Sequence, residues 1–512
     1  MTNIYDLENR VLLPTWRDFN RTVKIGELGH NMTSIDPPTD LSQIKFDWSV
    51  NKNIGTAADL VNNLFVANDL YSVELSEAIK YIEENTHDSS SSLLGLIAQI
   101  KEEINFTEDG STKLLETSIQ SVDQFHSFFD RAILNKIISK TKNLTKSYLY
   151  NAIHWVDLAR LYTIRGHDEK ANKCIKIALQ LAPNNRFVLR SATRFFIHNE
   201  DGEQAIHYLK KSNITKNDPW LISAHIASSN FIGRYSPFIK NGLQVVKSGD
   251  FSNFDLTELS SSLGTLEMKS GAFKKSLPLL NLSLSNPNDN SLAQYEWLSK
   301  EDNRLEFNPS KFSEVKNSFE AFAYENFRRG DFRSSFLNCI DWAIDQPISK
   351  RPLQFGSYIG TLIGQNNEAI LMCLVGLKSD PYNVIFLNNL IYNYCVTGDL
   401  VNAEKYIRLI ADKLNFDTVE DSEKVMYQAT LGLFYLRSGH FDFGKNMYKT
   451  AIENSKKLAN QYYYNQAILN FTRELRIVND SELQNFVQQA QSIKSNDSDI
   501  LYIKKIVVED YH

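Results

Sequence analysis

The sequence predicts an all-α fold, a solenoid of stacked helix hairpins. Three observations lead there. From Lys316 three blocks of 34 residues follow without a gap, 316–349, 350–383 and 384–417, and blocks 152–185 and 186–219 repeat the same pattern of small and large residues; a fixed period of that size marks repeated helix pairs. Within a block, apolar residues fall twice on one face of a 3.6-residue helix, with a glycine between the two runs. The 12 prolines and 21 glycines gather at block boundaries, where they act as punctuation.

Residues 1–50 come first and lie outside the period. Leu12, Leu13, Trp16, Phe19, Phe46 and Trp48 make them too apolar for a disordered tail. Pro14, Pro37 and Pro38 oppose long helices. An ordered, mostly irregular segment is expected, docking on a neighbouring helix and capping the first hairpin. Residues 51–150 read as a divergent helical head of about four helices, with Ser89 to Ser92 as a break. Divergent repeats and a separate domain both fit it.

Repeats are expected over 151–290, and block 152–185 shows the pattern most fully. Trp155, Leu158, Ala159 and Tyr162 hold block positions 4, 7, 8 and 11, and Gly166 stands at position 15, where the hairpin must turn. Ala171, Ile175 and Ala178 form the inner face of the second helix, and Pro183 ends the unit. Block 257–290 has Leu263, Gly264, Gly271 and Leu280 in the matching places, while 218–256 has no clear hairpin glycine. Residues 291–315 interrupt the period as an insertion. Repeats resume over 316–458, in 316–349, 350–383, 384–417 and 425–458. Residues 459–512 are expected to close the array with one more helix pair and a short cap.

The W-L-A-Y-G-A-A-P pattern of 152–185 resembles the tetratricopeptide repeat family, over roughly 152–458. The resemblance implies a right-handed superhelix whose concave groove is lined by positions 2, 5, 9 and 12 of each first helix. It also implies a non-catalytic scaffold or adaptor, a regulatory subunit of a larger assembly, that holds a partner protein or peptide in that groove. The alternative of another class is a peptide-sensing regulator that switches an effector. It is weakened because residues 1–50 hold no basic recognition helix. An enzyme survives only if the head hides a catalytic domain.

Groove positions then give candidate sites. Position 9 carries Tyr324, Tyr358 and Tyr392, and position 5 carries Glu320, Gln354 and Asn388. An aromatic row flanked by amides suits an extended peptide, since amides pair with backbone groups and tyrosine joins an apolar face to a polar tip. The same tyrosines could instead only pack between adjacent helices. Arg160, Arg190 and Arg194 make a second, basic stretch that could fork onto carboxylates or phosphates of a partner, or could form a solvated face paired with local acids. The family's carboxylate clamp is absent, because Val156 and Arg190 stand at position 5 and Asp157 and Ser191 at position 6.

No catalytic constellation emerges. The stretch Gly439 to Asn446 resembles a phosphate loop, but asparagine replaces the hydroxyl that would hold magnesium. His167 follows Arg160 at a spacing used by some helical ribonucleases, yet each already has a place on the hairpin. No metal or cofactor is expected. A net charge of −6 argues against a globally basic nucleic-acid binder. No apolar run reaches membrane-spanning length, and the first ten residues lack an apolar signal core. With four cysteines that show no metal-ligand spacing, a cytoplasmic protein is expected.

Overall fold

The structure, a computed structural model, describes residues 11–25, 41–66, 72–85, 93–94, 96–98, 100–101, 122–413 and 419–509. Among them helices alternate with short turns and no strand occurs. The chain divides into two compact units, residues 9–119 with 126–321, and residues 120–125 with 322–512.

In the first unit, α1 (Phe19–Ile25), α2 (Leu41–Val50), α3 (Ile54–Val66) and α4 (Val73–Glu84) precede the repeats. A short α5 (Val122–Phe128) carries the unit boundary and α6 (Arg131–Ser147) leads into the hairpins. These pair α7 (Ala152–Ile164) with α8 (Asp168–Leu181), α9 (Arg186–His198) with α10 (Gly202–Lys211), α11 (Pro219–Phe231) with α12 (Ile239–Ser248), and α13 (Asn253–Lys269) with α14 (Phe273–Ser285). Each first helix opens on a polar cap: Asn151, Asn185, Asp218 and Ser252 accept backbone N–H groups of the first turn. Such caps satisfy donors that no helix can pair internally.

The turn inside every hairpin passes through the left-handed region. Gly166 and Gly233 both have φ of 69°, and Glu200 does the same work at 60°. Gly233 is therefore the hairpin glycine that 218–256 seemed to lack. It comes 33 residues after Glu200, one short of the period. The expected insertion at 291–315 begins within a helix, α15 (Asp289–Glu301), opened by a reciprocal cap between Asn288 and Ser291. Its Leu292, Trp297 and Leu298 pack with Leu280 of α14. A loop with a single 3-10 turn at Pro309–Phe312 stands where its second helix would be.

The second unit follows from α16 (Phe319–Arg328), which carries the boundary, and α17 (Phe332–Asp345). Its hairpins are α18 (Lys350–Leu362) with α19 (Asn366–Ser379), α20 (Val384–Thr397) with α21 (Leu400–Lys413), α22 (Asp421–Arg437) with α23 (Phe441–Lys457), and α24 (Gln461–Ile477) with α25 (Leu483–Ser492). Then α26 (Ser498–Lys504) continues into a π-helical turn at Lys505–Glu509. One apolar core joins Leu387, Leu433, Tyr448, Phe471, Phe486 and Ile500. All four cysteines are buried free thiols, and burial pushes Cys174 up to about 11 and Cys373 and Cys395 up to about 12, away from reactive thiolate.

Candidate peptide-binding faces

On the first unit, the basic stretch is already engaged by the chain itself. Arg190 of α9 forks onto Glu258 of α13 through Nη1 and Nη2 at 2.7 and 3.1 Å, and its guanidinium lies 4.8 Å from the Trp220 ring. Arg190 is 4% exposed and Glu258 1%, so the two charges compensate each other in a dry setting. Glu258 Oε1 also accepts from Asn288 and Asn290 Nδ2, at 3.0 and 3.1 Å. Arg160 Nε donates to the Trp16 carbonyl at 3.1 Å. Of the two readings of the basic stretch, Arg190 fits pairing with a local acid, and Arg160 meets a carbonyl of the same chain. Arg194 is half-buried, and burial pulls its guanidinium down to about 10.

What occupies this face is residues 11–25. Residues 11–18 form no helix, and side chains of the repeats pair their backbone. Asn290 Nδ2 donates to Leu13 O at 2.8 Å, Arg160 reaches Trp16 O, and Phe19 N donates to Asp157 Oδ1 at 3.2 Å. Arg17, with no exposed surface, bonds Asp289 Oδ2 through Nη2 at 2.7 Å. Trp16 meets Phe195 edge to face with centroids 6.0 Å apart, and Phe19 meets Phe187 at 5.1 Å and stacks on Phe65 at 6.0 Å. The segment lies along first-helix positions of α7 and α9 and on the start of α15.

On the second unit, the tyrosine row divides. Tyr324 stacks on Phe355 of the next repeat at 4.6 Å, the arrangement expected of a residue that packs between helices. The hydroxyls of the other two face the chain's own last helices. Tyr358 Oη donates to Asp499 Oδ2 at 2.5 Å and accepts from Gln466 Nε2 at 2.7 Å. Tyr462 Oη reaches the same carboxylate at 2.7 Å. Burial raises the Asp499 carboxyl above its usual range and pushes both phenols well up. Tyr392 Oη donates to Asn470 Oδ1 at 3.1 Å and accepts from Arg473 Nη2 at 2.7 Å.

The amide row is likewise internal in part. Gln354 Nε2 donates to Asn383 Oδ1, the cap of the next repeat, at 3.2 Å. Glu320 and Asn388 are buried. A half-open cavity of ≈ 160 Å³ remains beside Tyr358, Asn388, Tyr392, Met426, Gln466 and Arg473. Arg473 and Arg437 share the buried Glu474, at 3.0 Å and at 2.6 and 3.2 Å.

Sequence reasoning singled out Arg160, Arg190 and the tyrosines, which lie on these candidate faces. It missed Asp157, Glu258, Asp289 and Asn290 in the first unit, and Gln466, Asn470 and Asp499 in the second. Glu258 carried a signal, since it is an acid at position 2 of block 257–290. The phosphate-loop resemblance dissolves: Gly439 is a hairpin turn with φ of 84°, and Gly444 lies where α23 packs closely on α22. An added Cβ there would stand 2.8 Å from Leu436 N. Among the described residues no group of three or more His, Cys, Asp or Glu could hold a metal, and no helix is long and apolar enough to cross a membrane.

Neither a family model nor a curated protein matches the chain. Solved structures do. The Cut9–Hcn1 hetero-tetramer of the APC/C aligns at 13% identity over 92% of this chain and 92% of that one, with a TM-score of 0.37. A monomeric IFIT1 mutant with Gppp-AAAA aligns at 13% identity over 76% and 97%, with a TM-score of 0.36. Yeast Tom70 aligns at 10% identity over 75% and 94%, with a TM-score of 0.28. At likenesses this low the functional reading rests on the chain's own residues. The hairpins, several of them repeating at 34 residues and each turning through a left-handed residue after its first helix, make the described residues an all-α solenoid of helix pairs.

Proposed function

We propose that the chain is a non-catalytic protein-interaction scaffold that takes a non-helical segment of a partner protein on the first-helix face of its repeats. One observation carries this reading. The first unit already holds such a segment, residues 11–18, through side chain-to-backbone hydrogen bonds from Arg160 and Asn290. Bonds of that kind hold a main chain, while pockets for individual side chains add selectivity. In the second unit, Tyr358, Tyr392 and Asn388 around the cavity are the residues proposed to meet a partner's anchoring side chain. Four buried, unpaired thiols support a reducing, cytoplasmic setting.

The test is a set of binding titrations with the full chain. Partner segments found by two-hybrid or crosslinking selection would be measured against the wild type and Asn290→Ala. A partner whose affinity falls about tenfold in the variant, at unchanged helical content, supports the proposal; loss of one such hydrogen bond is of that order. Selected partners that all ignore Asn290→Ala, and also ignore Tyr392→Ala, would refute it.

A further inference from the structure

We infer that the face formed by α7, α9 and the start of α15 is a binding site for a segment bearing an aromatic residue followed directly by arginine. Residues 11–25 are its resident occupant, exchangeable for a partner segment of the same chemistry. This rests on the scaffold reading above and gives it a ligand class.

The chemistry of the site defines that class. Trp16 is 2% exposed and sits against the Phe195 ring edge, so the first position requires a large flat side chain. Arg17 follows with its guanidinium on the Asp289 carboxylate at 2.7 Å, both nearly out of solvent. A buried carboxylate is costly without a cation beside it. Two residues on, Phe19 lies between Phe187 and Phe65 while its N–H meets Asp157. The motif read by this face is aromatic–Arg–x–aromatic, with carbonyls before and at the first aromatic held by Asn290 and Arg160.

The same polar groups explain why the face is filled. Without an occupant, Asp157, Arg160, Asp289 and Asn290 would each lose one hydrogen-bond partner, a loss that disfavours the empty face. A face built this way is stable with an occupant on it. It discriminates by charge, because an acidic or neutral residue in place of Arg17 removes this ion pair from the buried Asp289. The partner is therefore a basic–aromatic segment rather than the acidic peptides that Arg160, Arg190 and Arg194 suggest when taken alone.

The experiment uses the full chain and a fluorescent synthetic peptide with the sequence of residues 11–25. In a Trp16→Ala/Arg17→Ala chain the resident segment is weakened, and the added peptide should bind at least about tenfold more tightly than to the wild type, a difference of about 1.4 kcal/mol. Peptides carrying Trp16→Ala or Arg17→Glu should bind that variant at least about tenfold more weakly than the parent peptide. Should the double variant lose its helical content, hydrogen exchange on the wild type decides. Excess peptide should then speed exchange at the Phe19 amide while α7 keeps its protection. Failure of the peptide both to bind the variant and to speed that exchange overturns exchangeability. Equal binding of parent and Arg17→Glu peptides overturns the aromatic–Arg rule, yet leaves the scaffold reading standing. The scaffold reading falls on its own test with Asn290→Ala and Tyr392→Ala.

Discussion

Replacing Gly444 by alanine should destabilise the second unit, although the same change in an open helix stabilises. Alanine is ≈ 1 kcal/mol better than glycine in a helix interior. At Gly444 the new Cβ would stand 2.6 Å from Leu436 Cγ, 2.8 Å from Leu436 N and 2.9 Å from Gly432 O. Two of those atoms are backbone and cannot rotate away, so α23 must lift off α22. That movement disturbs the neighbouring stack of Tyr448 on Phe471, at 4.8 Å. Overpacking of this kind costs about 1–3 kcal/mol, and backbone contacts place it near the upper end. The net expectation is a loss of about 2 kcal/mol, or about 4–8 °C in the melting of a unit this size. Gly242→Ala is the control, because its Cβ would meet only side-chain tips, the nearest Leu259 Cδ1 at 3.1 Å. Far-UV circular dichroism melts of both variants decide the matter. A Gly444→Ala protein that matches or exceeds the wild type would refute the packing argument. If it also lost a measurable affinity for nucleoside triphosphate, the phosphate-loop reading of 439–446 would return.

Other outcomes follow from the same geometry. His225 is fully buried between Ser229 and Ser236, and burial lowers it from 6.5 to about 4. Its neutral form is the folded form, so its contribution is complete above pH 6.5 and declines as pH falls towards 4, by about 3 kcal/mol in all. Denaturant midpoints at pH 7 and 5 should fall apart in the wild type and converge in His225→Gln. Glu258→Ala strands Arg190 and should cost about 3–5 kcal/mol, read as a lower urea midpoint for the first unit with no change in the second. Tyr358→Phe removes one donor from Asp499 and should cost about 1–2 kcal/mol; a neutral result would show that Tyr462 satisfies the carboxylate alone.

The architecture was legible because a hairpin repeat writes itself locally. Small residues at positions 8 and 20, a turn at position 15 and apolar faces all lie within one block. Legibility failed where a rule was met by an unexpected residue. Glu200 and Asn479 hold left-handed turns without being glycine, and the block after Glu200 is one residue short. The helix α15 was hidden because its second helix is missing, so the period gave no frame for it. The site was legible only on one side. Position in the block, read through the family resemblance, singles out Tyr358, Tyr392, Arg160 and Arg190 as groove candidates. It cannot show what they touch, because Asp499 is 141 residues from Tyr358 and Glu258 is 68 from Arg190. Burial of a charged side chain is a property of the assembled stack.

That separation has a temporal side. Arg17 and Asp289 are 272 residues apart, so a ribosome moving at 5–20 residues per second makes the cation roughly 14–54 s before its carboxylate. Through that interval Leu12, Trp16 and Phe19 have been synthesised without α15 to complete their site. The nascent chain thus carries an apolar, basic segment whose aromatic partners, Phe65, Phe187 and Phe195, are synthesised well before the carboxylate of its cation. Synthesis itself presents Arg17 before Asp289 exists, so the buried ion pair is among the last contacts that this segment can complete.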